Sequence, residues 1–434
     1  MVIVFVNKLT PRISYIFKHV FVRILNIPVS FTTTIEEFVA HNGPKMSYTK
    51  VPLGGEFHVR CNDLLNEQGV NDIDITINKW DDVPCFFTTS AKSSIPFDIF
   101  AASFYLISRY EEYLPHVQDH FERYDAKESL AFKSGFLDKP VVDIWAYKFL
   151  ENFREKFPNY DYSERSFEFI STFDIDNAYA YKHKGFVRNF GGFFRDILRF
   201  RFKNLFIRIL VLLRLQRDPY DTYDFILRWT KRYNLKTIFF FLIGDYTTYD
   251  TNVSSSNSKY RSLIKSIADY VKVGLHPSFY TMHNTLKLKK EKQKMEQITN
   301  RPVIRTRQHF LRMKIPETYQ NLIDLEVQED YTMGYASHYG FRASTCTPFY
   351  FYDLDFEIQT PLKVFPFAVM DGTLNIYLNY VPAVSKSKIF KLINEVRAVN
   401  GTFILLFHNE TVSELGNWKG WRKMYKEILE FVHD

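Results

Sequence analysis

The sequence predicts an α/β protein, a distorted (β/α) barrel of about seven parallel strands over residues 161–434, preceded by a smaller α+β domain over residues 1–160. Three observations carry this. The 434 residues are long for one core and divide more readily into two. From about Arg165 onward, strand-like runs alternate with helical segments, the pattern of parallel strands joined by crossovers. Acids and histidines recur where those runs end, and a parallel barrel gathers such positions at one mouth.

In the first region, Val2–Val6 reads as a strand and Ser14–Leu25 as a helix carrying His19 and Arg23. The phrases "PLGGEF" and "WDDVPCFF" read as turns. "DIFAASFYLISRYEEYL" reads as a helix capped by Asp98, and "VDIWAYKFLENFREKF" as a second helix. Arg109, Glu111 and Glu112 fit a solvated helix face. In the second region the strand candidates are "SFEFISTFDID", "KTIFFFLIGD", "KVGLHP", "PVIRTRQHF", "LEVQEDYT", "KVFPFAVMD" and "TFILLFHNE". "DTYDFILRWTKRY" and "YRSLIKSIADYV" are among the helices between them.

The strand ends supply the candidate site. Asp174 and Asp176 close the first strand and, at i and i+2, share one side of it. Two carboxylates so placed repel and call for a cation, a proton or a strong donor. Asp245, His276, Arg307 with His309, Asp330, Asp371 and His408 follow at the later strand ends. Asp245 reads as a turn cap. Asp330 and Arg342 lie in "DYTMGYASHYGFRAST", which suits either a site loop or packing. Cys346 reads as a small buried residue near the mouth.

Composition narrows the function classes. Aromatic residues make up 18 % of the chain, which argues for a packed globular protein. Three scattered cysteines give neither a disulfide framework nor zinc-ribbon spacing. No apolar run reaches the roughly 20 residues of a membrane span, and a cytoplasmic location is the default. The net charge of +7 is concentrated between Lys182 and Arg217, where Phe and Leu interleave with the cations and Asp196 is the single acid. An amphipathic helix or helical pair with a solvated basic face accounts for this. The alternative is a surface meeting an acidic glycan or anionic lipid headgroups, hence peripheral membrane contact through 182–217. No recognition helix, zinc finger or ribonucleoprotein signature accompanies the charge, so nucleic acid is not an expected partner.

From Phe167 onward these phrases resemble the polysaccharide deacetylases, the NodB-homology carbohydrate esterases. "TFDID" stands where that family has a Thr-Phe-Asp-Asp strand end, with one residue inserted between the acids. "GLHPSFY" keeps the first histidine of the second motif as His276, but Tyr280 replaces the second. "RTRQHF" supplies the motif arginine, Arg307, and "ILLFHNE" the terminal histidine, His408. "SRYEEYLP", "DYTMGYAS", "GFRAST" and "PFAVMD" resemble a bacterial subset with an N-terminal extension.

The resemblance implies metal-dependent hydrolysis of an N-acetyl group on an amino sugar of a surface polysaccharide or its precursor. Amide hydrolysis needs an activated water, a Lewis acid and a proton for the leaving amine. Asp176 and His276 suit a divalent metal such as zinc, with His309 the candidate third ligand in place of Tyr280 and His283 the second choice. Asp174 suits the base, held by Arg307; His408 suits the acid, steered by Asp330. A carbohydrate-binding protein that has lost the metal, and a sugar O-acyl esterase, are the alternatives.

Overall fold

The computed structural model describes residues 1–433. The chain opens with β1 (Val2–Val6), every residue of it buried. β2 (Val29–Thr32), β3 (Lys45–Thr49) and β4 (Phe57–Arg60) complete a sheet in the order β2-β1-β3-β4, with all pairings parallel. The helix expected from Ser14 starts earlier, at Pro11. The Thr10 side chain accepts from the Ile13 N–H and Pro11 suits the first turn, so the two together set its start. It runs on through a wider-wound segment, Lys18–Ile24. "WDDVPCFF" turns a small antiparallel hairpin of β5 (Asn78–Trp80) and β6 (Val83–Cys85).

The second sheet has nine strands: β7 (Glu168–Ile175), β8 (Lys236–Leu242), β9 (Lys272–His276), β10 (Arg305–Thr306), β11 (Glu329–Asp330), β12 (Phe349–Asp353), β13 (Ile358–Val364), β14 (Val369–Met370) and β15 (Thr402–His408). Their order is β12-β13-β11-β10-β9-β8-β7-β15-β14, parallel throughout except for β12 against β13. About seven strands in a ring were expected; nine form, and their ladder is open between its two ends. One of the two extra strands is β12, antiparallel to β13, and the other comes from "KVFPFAVMD". Pro366 has no N–H to give a ladder and splits this run, so its start belongs to β13 beside β11 and its end to β14 beside β15.

The sheet is nevertheless strongly curled. From β13 to β14 a flat sheet would span about 34 Å. Yet Val364 and Val369 are joined by four residues, a reach of at most about 18 Å. Side chains alternating inward from several strands fill the interior, among them Ile170, Phe240, Tyr331, Phe367, Ile404 and Leu406. Helices such as Tyr223–Arg232, Ser258–Ala268 and Pro382–Arg397 cover the outside.

Arg109, Glu111 and Glu112 do not form a solvated face. The helix Ile99–Ile107 ends at Ser108, and Arg109 takes a left-handed conformation (φ 55°). Its guanidinium then meets Glu111 and Glu112, each at 2.7 Å, and Arg342 meets Glu112 at 2.6 Å, all four side chains being buried. Glu112 thus sits between an arginine from each region. Burial opposes its charge, but Arg342 and Arg109 prevail and hold the carboxyl down to about 2. A second junction is Asp143, which accepts from Arg165 (2.8 Å), Thr345 (2.6 Å) and the Cys346 N–H (2.9 Å). Cys346 is buried as expected but not near the mouth. Its Sγ lies against Gly401, where a Cβ would come within 2.2 Å, at the opposite end of β15 from His408.

Candidate metal centre and its flanking acid and base

β7 supplies the first side chains. Strand alternation turns Ile170, Thr172 and Asp174 inward, and Asp176 follows on the same side just past the strand's end. β9 ends on His276. Two residues earlier, Gly274 makes room for Phe240, since a Cβ there would meet that ring at 2.6 Å. The Arg307 guanidinium lies 4.6 Å from the Phe240 centroid and donates from Nη1 to Thr172 Oγ1 and Asp174 Oδ1, both at 2.8 Å. Gly274, Phe240 and Arg307 therefore form a chain of supports ending on Asp174.

Three imidazoles face Asp176. His276 Nε2 is 3.2 Å from Oδ1; His309 Nε2 and His408 Nε2 are 3.4 and 3.5 Å from Oδ2. In each ring the other nitrogen is already engaged. His276 Nδ1 donates to the Arg307 carbonyl, His309 Nδ1 pairs with Asp250 at 2.8 Å, and His408 Nδ1 pairs with Asp371 at 2.8 Å. A carbonyl only accepts, so a neutral His276 presents a bare lone pair at Nε2. That lone pair faces Asp176 Oδ1, a buried oxygen accepting no hydrogen bond. Two acceptors turned toward each other, with their rings fixed from behind, are what a divalent cation requires. Ligand atoms of Asp176, His276 and His309 all lie within 4.8 Å of one another.

The electrostatics favour positive charge at this point. Burial works against charging His309, but the Asp176 and Asp250 carboxylates outweigh it and raise its pKa to about 9. Burial opposes His408 in the same way, and Asp371 and Asp176 raise it well above the ordinary histidine value. Asp176, despite burial, is held well below the usual carboxylate range by His309 and His408.

The structure brings together Asp174, Asp176, His276, Arg307, His309 and His408, but not Asp330. β11 pairs with β10 so that Tyr331 turns inward and Asp330 outward. Asp330 accepts from Thr306 Oγ1 (3.0 Å) and Thr332 Oγ1 (2.8 Å) and makes no bond to His408. Asp371 takes the place proposed for it. His283 is exposed and pairs with Glu122 at 2.6 Å; Tyr280 is exposed beside Lys287, and neither lines the cavity. Arg342 belongs to the buried junction, and Asp245 is exposed against Lys294.

Sequence reasoning missed Asp250, which sits in a loop with no strand-end signal, and gave Asp371 no role. It also missed the rim. The cavity, about 170 Å³, is lined by Arg123, Met370, Tyr377 and Trp418 as well as the acids and histidines. Arg123 comes from the first region and donates to the Phe310 carbonyl at 2.9 Å. Phe310 and Leu311 both adopt left-handed conformations (φ 59° and 56°), a strained loop beside His309 that this contact helps to hold. A larger cleft of about 1250 Å³ lies at the other end of the strands, near Lys236, Lys272 and Arg305, and contains no such cluster.

Residues 2–158 match a family of unknown function, DUF7033. No curated protein matches the chain. Among solved structures, a protein from Mycobacterium smegmatis described as a polysaccharide deacetylase is 14 % identical, covering 62 % of this chain and 86 % of its own, with a TM-score of 0.39. Two mutants of a CE4 family pseudoenzyme, one with restored enzymatic activity, are also 14 % identical. Each covers 60 % of this chain, at a TM-score of 0.30, and the chain spans 64 % and 63 % of their lengths.

Proposed function

We propose that the protein is a metal-dependent hydrolase that removes N-acetyl groups from an amino sugar of a surface polysaccharide or its precursor. The observation that carries this reading is the convergence on Asp176 of three imidazoles, each locked through its other nitrogen, with a buried Arg-supported carboxylate beside them. Asp176, His276 and His309 would hold the ion, zinc being suited to one carboxylate and two imidazoles. When bound, it supplies a Lewis acid for the substrate carbonyl and lowers the pKa of a water.

The remaining work falls to the chain's own groups. Asp174, oriented by the Arg307 guanidinium, takes the proton from the attacking water. His408 stands on the other side of Asp176, its pKa, against burial, raised well above the ordinary histidine value by Asp371 and Asp176, and supplies the proton. It passes this proton from Nε2 to the nitrogen as the carbon–nitrogen bond breaks, giving acetate and a free amine. Asp371 holds the ring for that transfer. Trp418 and Tyr377 offer the cavity aromatic faces that suit a sugar ring.

The test is elemental analysis of the purified protein, followed by acetate release from a panel of N-acetylated sugars and oligosaccharides. About one equivalent of a divalent metal and chelator-sensitive acetate release are expected. Carbohydrate binding without hydrolysis by the metal-loaded protein would overturn the reading.

A further inference from the structure

The helices Phe186–Leu198 and Phe202–Leu212 form a hairpin closed on itself by a buried ion pair, Arg208 to Asp196 at 2.7 Å. Gly192 admits that arginine, since a Cβ there would come within 2.6 Å of Nη1. The hairpin is tied to the body at its base. Arg188 donates to the carbonyls of Thr251 and Asn252, and Asp218 accepts from the N–H groups of Ala180, Tyr181 and Lys182. These ties lie next to the candidate site in sequence, because Asn177 follows Asp176 and Asp250 orients His309. The hairpin therefore rises from the rim at the strands' C-terminal ends.

Its outer face has the wrong chemistry for water. Among the described residues eight Phe side chains are exposed, and six of them lie between Phe186 and Phe206. Phe186, Phe190 and Phe194 recur every four residues along one helix, and Phe202 and Phe206 do so on the other, which makes two apolar stripes. A helical pair packed only for solubility would turn such stripes inward. Arg195, Arg199, Arg201, Lys203 and Arg214 are exposed around them, and none pairs with a carboxylate among the described residues.

We propose that this hairpin docks on an anionic lipid bilayer, lying in its interface with the Phe rings among the acyl chains and the cations at the phosphates. Charge complementarity selects this occupant. The same face of a second copy would set these five cations against one another, and the hairpin has no free acid to offer, since Asp196 is spent on Arg208. An acidic glycan would satisfy the cations but leave the Phe stripes in water. Contact is peripheral: no helix of the described residues is long and apolar enough to cross a membrane.

Flotation of the full chain with phosphatidylcholine vesicles, and with vesicles containing about a third phosphatidylglycerol, tests this. Salt-sensitive binding to the anionic vesicles alone is expected. A variant with Phe190→Glu, Phe194→Glu, Phe202→Glu and Phe206→Glu should bind at least about tenfold more weakly. Its far-ultraviolet circular dichroism and melting temperature should be unchanged, because these side chains are already exposed. Absence of vesicle binding by the wild type, or undiminished binding by the variant, would overturn the proposal. So would self-association that the Phe variant abolishes without any vesicle binding, or capture by an acidic polysaccharide that ignores the Phe substitutions.

Discussion

Asp371 binds His408 twice. Its Oδ1 pairs with the ring Nδ1 at 2.8 Å and its Oδ2 accepts the backbone N–H of the same residue at 2.6 Å. The ring is thereby fixed relative to its own strand, with Nε2 turned toward Asp176. Asp371→Asn should lower kcat by about a hundredfold or more while changing KM little, because proton delivery is lost rather than binding. Asp330→Asn should leave kcat near the wild-type value and lower the melting temperature, since Asp330 serves only Thr306 and Thr332. Steady-state acetate release by the two variants checks both.

Asp174→Asn should remove roughly 10²–10⁴ of the turnover with folding and metal content intact. Arg307 still finds a side-chain oxygen there, so packing is preserved. Acetate release together with metal analysis of the same sample decides it, and retained hydrolysis would remove Asp174 from the base role.

Substituting Asp176, His276 or His309 by Ala should strip the metal, whereas His283→Ala should leave it in place. Asp250→Asn, which reaches the metal through His309, should weaken metal affinity by about 10–100-fold. Competition against a chelator of known affinity measures each variant without reference to turnover.

Glu112 gives the fold a pH dependence. Its pKa in the folded protein, about 2, lies below the ordinary 4.5. The stability it contributes is therefore complete above pH 4.5 and is lost as pH falls toward 2, an effect of roughly 3 kcal/mol. Thermal melts between pH 7 and pH 3 should fall steeply for the wild type. Glu112→Gln, which leaves Arg342 without its carboxylate and Arg109 with Glu111 alone, should begin lower at pH 7 and show a shallower acid limb.

The parts legible in the sequence were those set by local periodicity. In "STFDID" a two-residue repeat is enough to place Asp174 and Asp176 on one side of a strand, and "KVGLHP" and "TFILLFHNE" end on histidines for the same reason. The same rule also explains the Asp330 error, because a one-residue difference in register decides whether a strand-end acid faces inward or outward, and two-residue β11 gives no pattern from which to read it. Asp250 was out of reach because its use depends on a loop folding back to His309. The "SRYEEY" acids look solvated on a helical wheel; the left-handed Arg109 that breaks the helix and buries them is a tertiary outcome. The Lys182–Arg217 segment was readable as an amphipathic helical pair, but which of its faces stays uncovered depends on what the rest of the chain packs against it.

The Arg109–Glu112–Arg342 cluster also limits how this protein can be taken apart. Residues 1–160 look detachable by sequence, yet grafting them onto another barrel, or replacing them in a chimera, strands a buried arginine on one side of the cut and a carboxylate on the other. Any exchange of the front half must carry its half of that charge triad with it, so the two halves are expected to drift together in homologues, with changes at 112 and 342 arising as a pair.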